Sequence, residues 1–295
     1  MKKLKKIISR KTIFLFLCLI LQAELFAFDW PQEETFSDSF YSYFGQLRGG
    51  TISTSLIFRD SSDVKASEDA EILAILSEHT NDFGWFESTL GNTVILLHND
   101  NISTVYANLD ENSIPQILDE KDSVKKGEKI GTSANSGWQE GTSCLEFQVL
   151  DTKNHNAINP RILMPRIGKE LPLFAKNVYL VDAKEKEFIL GRDKIIHSGS
   201  YRIYCDRQEI AVPYKTTISI NGVVYESLSY DTLSERNGKL CVQGNNFYQV
   251  MDLYPDNKRQ FLGQINLTSG KHSLSATLFN ILGTTQTSRF AVDVQ

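Results

Sequence analysis

The feature that most constrains this chain is the spacing of its β-branched and apolar residues. They recur at every second position in short runs bounded by turn-forming residues, a pattern that fits strands and does not fit helices. The runs are TISTSLIF (51–58), AEILAIL (70–76), NTVILLH (92–98) and STVYANL (103–109), followed by VKKGEKIG (124–131) and CLEFQVLD (144–151). Asn99, Asp100 and Asn101 separate two of these runs by a polar turn of hairpin length, which predicts an antiparallel pair. A glycine- and serine-rich loop spans 133–143, and NPRILMP (159–165) closes the unit. Beyond about residue 170 a second series follows, YRIYC, TTISINGVVY, KLCVQG, KHSLSATLF and SRFAVDV, at intervals that suit a small β-sandwich. No stretch has the period of a long amphipathic helix. The expected fold class is therefore all-β, in two domains, 28–169 and 170–295.

The segment before residue 28 reads as an address. Residues 1–12 carry six positive charges and no negative one, and they lead into IFLFLCLIL (13–21). That is the layout of a secretory signal, and the apolar run falls short of the roughly 20 residues needed to span a bilayer. Residues 1–27 are thus expected to be a signal peptide, leaving an exported protein of the periplasm or cell envelope with no membrane span. Whether the signal is cleaved or kept as an anchor stays open. The whole chain of 295 residues has a formal net charge of -5. Residues 1–27 hold six positive charges and one negative, so the remainder carries -10. A chain this acidic lacks the field that holds phosphate backbones, and nucleic acid is excluded as an expected partner.

The order of motifs from Trp30 to Pro165 resembles the LytM or lysostaphin-type zinc metallopeptidase domain. The carriers are Trp30-Pro31, FGQLR (44–48), VKASEDAEI (64–72), GNTVILLHNDNISTVYANL (91–109), VKKGEKIG, CLEFQV (144–149) and INP (158–160). In active members a His-x-x-x-Asp strand and the second His of a His-x-His strand hold one zinc, and two further histidines assist the reaction. Residue by residue, this chain has Ser53 and Ile57 at the first pair, Cys144 and Glu146 at the His-x-His pair, and Asn108 at the His after Tyr-Ala. The glutamate that follows His-x-His-Phe in the family is Gln148 here. A catalytic zinc needs lone pairs from three protein ligands, and Ile57 offers none. The resemblance therefore implies a degenerate member that has lost zinc and activity. By analogy with degenerate LytM-type regulators of wall amidases, it would bind peptidoglycan or a partner cell-wall hydrolase. Two other readings stay open: a divergent metallopeptidase ligating through Cys144 and Glu146, and a structural protein acting through its C-terminal sandwich.

Further expectations attach to single residues. Trp85 and Trp138 fall in loops that resemble the walls of the family's substrate groove, and as aromatic surfaces they suit a peptide or a sugar face, although plugging of hairpin ends explains them as well. His98 is a third groove candidate, with a structural role at a strand end as the alternative. The C-terminal part resembles the immunoglobulin-like sandwich that follows LytM-type domains in some envelope proteins. Its Cys205 and Cys241 are expected either to form a disulfide, which an oxidising compartment would favour, or to be buried free thiols.

Overall fold

The computed structural model describes residues 28–33, 35–77, 88–115, 118, 120–137, 145–193 and 195–295. Its first half holds twelve short strands: β1 (Phe40–Ser42), β2 (Leu47–Arg48), β3 (Thr51–Ile52), β4 (Ser55–Phe58), β5 (Asp63–Lys65), β6 (Ala70–Leu76), β7 (Asn92–Leu97), β8 (Ile102–Leu109), β9 (Ser123–Val124), β10 (Lys129–Thr132), β11 (Glu146–Asp151) and β12 (Asn156–Ile158). The second half adds β13 (Tyr179–Val181), β14 (Glu187–Ile189), β15 (Gly199–Asp206), β16 (Lys215–Ile220), β17 (Val223–Arg236), β18 (Lys239–Gln243), β19 (Phe247–Gln249), β20 (Arg259–Leu267), β21 (Gly270–Phe279) and β22 (Thr285–Val294). One helical turn, α1 (Val250–Leu253), precedes β20. The chain is all-β, as its periodicity requires. Among the described residues no helix is long and apolar enough to cross a membrane.

The strands of the first half are ordered β9-β6-β7-β8-β11, all antiparallel. The β7–β8 connection is the polar turn seen in the sequence. Asp100 and Asn101 both have φ of 61°, a left-handed backbone that Asn and Asp tolerate better than most residues. β11 is the branch point of the sheet. One edge pairs with β8 along its whole length. The other edge is divided, with Glu146, Phe147 and Gln148 against β4 and Val149, Leu150 and Asp151 against β12.

That division joins the two halves of the molecule. β12 pairs on its far side with β17, placing Asn156, Ala157 and Ile158 opposite Ser234, Leu233 and Thr232. The sheet then continues through β16 and β21 to β22. A second sheet, β14-β13-β15-β20, faces this extension. Leu180, Ile203 and Leu262 from the second sheet share one apolar core with Ile218, Leu274 and Ala276 from the first. A larger core is built by both halves together, with Phe40, Phe58, Tyr106 and Phe147 in the same cluster as Tyr230, Leu233, Tyr254 and Phe261. β8 is buried along nearly its whole length, because it lies between β7 and β11 and is covered on both faces.

Candidate functional site

The register of three strands builds the centre of the site. Glu146 lies opposite Ile57 on β4 and Ala107 on β8. Gln148 lies opposite Ser55. Residues two apart on a strand share a face, so Ser55, Ile57, Glu146 and Gln148 form one patch. Ile57 is wholly buried, and Ser53 and Glu146 are nearly so.

A polar network fills this patch. Arg48 Nη1 donates to Glu146 Oε2 at 3.0 Å. Ser55 Oγ donates to Glu146 Oε1 at 2.8 Å, and Gln148 Nε2 donates to the same oxygen at 3.3 Å. Ser53 extends the chain, with its hydroxyl 3.2 Å from Ser55 Oγ and accepting from Ser55 N at 3.3 Å. A buried carboxylate is costly unless a cation and further hydrogen bonds compensate it. Here one guanidinium, one hydroxyl and one amide supply that compensation. Ile57, beside them, contributes apolar burial where a second carboxylate would add an unpaired charge.

These residues do not fit a catalytic zinc. Ile57 has no donor, Ser53 is a neutral hydroxyl engaged with Ser55, and both oxygens of Glu146 already accept hydrogen bonds. Among the described residues, no group of three or more His, Cys, Asp or Glu side chains is placed to hold a metal. Cys144, the remaining ligand candidate, lies outside the described residues, as do Trp85 and Trp138.

Asn108 has a different task from the histidine it replaces. Its φ is 65°, and its Oδ1 accepts from Gly137 N at 2.8 Å. Its backbone N donates to Leu90 O at 2.8 Å, and its carbonyl accepts from Ala134 N at 2.7 Å. Asn108 thus ties the end of β8 to two neighbouring loops, in a conformation that favours Asn over β-branched or bulky residues.

His98 stands at the other end of the sheet from Glu146. Its backbone N donates to Ile102 O at 2.8 Å, whereas Glu146 is level with Ala107, five residues along β8 and so roughly 17 Å away. Its ring nitrogens lie 3.1 Å from Asp69 O and 2.8 Å from Thr104 Oγ1, and Phe28 meets the ring edge-on at 4.8 Å. Burial lowers its pKa. These contacts hold the ring at the end of the strand, where His98 also lines a shallow cavity with Asp69, Glu71 and Lys125.

Cys205 and Cys241 are both buried and unbonded in this structure. β15 runs between β13 and β20, whereas β18 runs between β17 and β19. The two cysteines therefore sit on strands of different sheets and never become cross-strand neighbours. Burial pushes the Cys205 thiol up to about 12, which leaves it unreactive near neutral pH.

Sequence reasoning assigned no role to Arg48 or Ser55. A signal was present, since an acidic residue at a buried position needs a cation, and Arg48 closes the FGQLR motif. The pairing joins residues 98 apart, so only the fold identifies the partner.

This antiparallel sheet sets two of the family's ligand positions, Ile57 on β4 and Glu146 on β11, opposite each other. Residues 58–160 match the model of peptidase family M23, so this segment of the chain is an M23-type domain. A second family model spans residues 172–295. The chain is 31% identical over 140 residues to an uncharacterized protein of Treponema pallidum (strain Nichols), a match covering 43% of this chain and 92% of that protein. Similar solved structures include a zinc-containing peptidase from Vibrio cholerae, at 21% identity and TM-score 0.32, covering 42% of this chain and 36% of that one. The present chain thus spans about a third of that peptidase. The SpoIIIAH and SpoIIQ complex is similar at 21% identity and TM-score 0.33, covering 45% of this chain and 96% of that one. The catalytic domain of a mutant of the prophage-encoded M23 protein EnpA from Enterococcus faecalis is similar at 20% identity and TM-score 0.32, covering 43% and 90%.

Proposed function

We propose that this protein is a catalytically inactive M23-type module of the cell envelope, exported by its first 27 residues, which binds peptidoglycan or a partner wall hydrolase and regulates wall remodelling or division. The observation that carries the reading is the Arg48–Glu146 ion pair beside a buried Ile57. Positions that in active relatives hold a cation through neutral and anionic ligands here hold a carboxylate neutralised from within the chain. A guanidinium in that place balances charge as a metal would, but it offers no open coordination position and polarises no water. Zinc loss and loss of proton-transfer residues act together, since Asn108 has no titratable group.

The test is metal analysis of purified residues 28–295 combined with peptide release from purified cell wall. The expected result is a trace of zinc, no release of new amino termini, and co-sedimentation with the wall or capture of a wall hydrolase. Stoichiometric zinc together with turnover abolished by Glu146→Ala would overturn the reading in favour of a divergent metallopeptidase.

A further inference from the structure

A cavity of about 640 Å³ opens where the loop after β15 meets the turn from β1 to β2, and its lining includes Tyr41, Leu47, Arg48, Arg207, Glu209 and Ile210. That volume is in the range of small-ligand sites. The cavity is composite, because neither half of the chain closes it alone. Its geometry is pinned at the junction: Gln46 Nε2 donates to the carbonyl of Glu209, and Tyr254 Oη donates to Gly45 O at 2.8 Å.

Two arginines, Arg48 and Arg207, line this space. Arg48 gives Nη1 to Glu146 and Arg207 gives Nε to Asn257 O at 2.9 Å. The other guanidinium nitrogens of both residues have no partner among the described residues. A guanidinium fork matches a carboxylate edge. Glu146 and Glu209 offset the two positive charges, so a dianion such as phosphate gains little, whereas a monoanion can be held by Arg207 and the free edge of Arg48. Tyr41, Leu47 and Ile210 add an apolar wall, with Tyr41 and Ile210 left about 40% exposed. We propose that this cavity binds the free α-carboxylate of a short peptide whose last side chain is apolar, with Arg207 as the principal anchor. The site lies beside the M23 centre and shares Arg48 with it.

The experiment is calorimetric titration of residues 28–295 with N-acetyl-Ala-Leu as free acid, with its C-terminal amide, and with inorganic phosphate. The free acid is expected to saturate, with the amide and phosphate at least about tenfold weaker, as loss of one charge-assisted pair implies. Arg207→Gln should weaken the free acid by about tenfold or more, and Glu209→Gln should tighten it, because a negative charge leaves the rim. Ile210→Trp, which fills the cavity without removing a charge, should also block binding, and it serves if Arg207→Gln fails to fold. Equal binding of acid and amide, phosphate binding as tight as the peptide, absence of saturation by the free acid, or an unchanged affinity in Ile210→Trp would each overturn the assignment. None of these outcomes bears on the zinc and turnover measurements above.

Discussion

At the scale of single residues, the site shows how a nearly buried carboxylate is accommodated by the chain around it. Glu146 lies nearly buried among Arg48, Ser55 and Gln148, which all donate to it. Removing the cation should leave that carboxylate without its paired positive charge. Arg48→Met, which preserves the apolar stem, is expected to destabilise the fold by about 1–3 kcal/mol in denaturant unfolding, the range for a charged hydrogen bond. Glu146→Gln in the same chain should recover part of that loss, and the double-mutant cycle measures the coupling. Strict additivity would mean that the pair contributes nothing.

His98 yields a prediction with a definite sign. Burial lowers its folded pKa below the unfolded value, outweighing the carbonyl of Asp69 and the charge of Glu68, which act in the other direction. The unfolded chain therefore binds the proton more readily than the folded one. Stability from this group is complete above the unfolded value of about 6.5 and declines as pH falls through that value toward the folded pKa. Unfolding midpoints measured between about pH 7.5 and 5 should thus drop more steeply in the natural protein than in His98→Gln. Parallel profiles would show that His98 is not the group responsible.

At the scale of elements, most strands were legible because their signal is local. Period two, β-branched residues and polar turns are set by neighbours a few positions apart, and β6, β7, β8 and β11 lie where those runs lie. The run from 51 to 58 is divided, since Ser53 and Thr54 interrupt it to let β3 and β4 take different partners. Which strands pair was not legible, because a divided edge such as that of β11 depends on register with partners far away in sequence. The turn between β1 and β2 is a case where an element must fit its neighbour. Gly45 has φ of 81°, and a Cβ placed on it would stand 2.7 Å from Tyr230 Cδ1. Gly45→Ala should therefore cost about 1–3 kcal/mol through left-handed strain and overpacking. Thermal unfolding checks this, and a shift within experimental error would mean that Tyr230 yields without cost.

At the scale of the whole molecule, two sequence segments form one continuous sheet and share one apolar core. Arg161 and Glu170 form a buried ion pair near the segment that joins them, and Asn159 Nδ2 donates to Tyr230 O at 3.0 Å. Parts that share a core and a sheet should unfold together. Scanning calorimetry of residues 28–295 is expected to show a single transition whose calorimetric and van't Hoff enthalpies agree. Two resolved transitions would show that the halves are thermodynamically separate.

The sequence by itself determined the strand content, the order of the family's motifs and the identity of the residues at the family's ligand positions. Those properties reside in residue identity and short-range spacing, which are readable without coordinates. Only the tertiary structure decided that Arg48 answers Glu146, that Cys205 and Cys241 remain apart, that His98 stands at the far end of the sheet, and that both halves share a core and enclose a cavity. Each depends on pairing between residues tens to hundreds of positions apart, which sheet register fixes and no local pattern encodes.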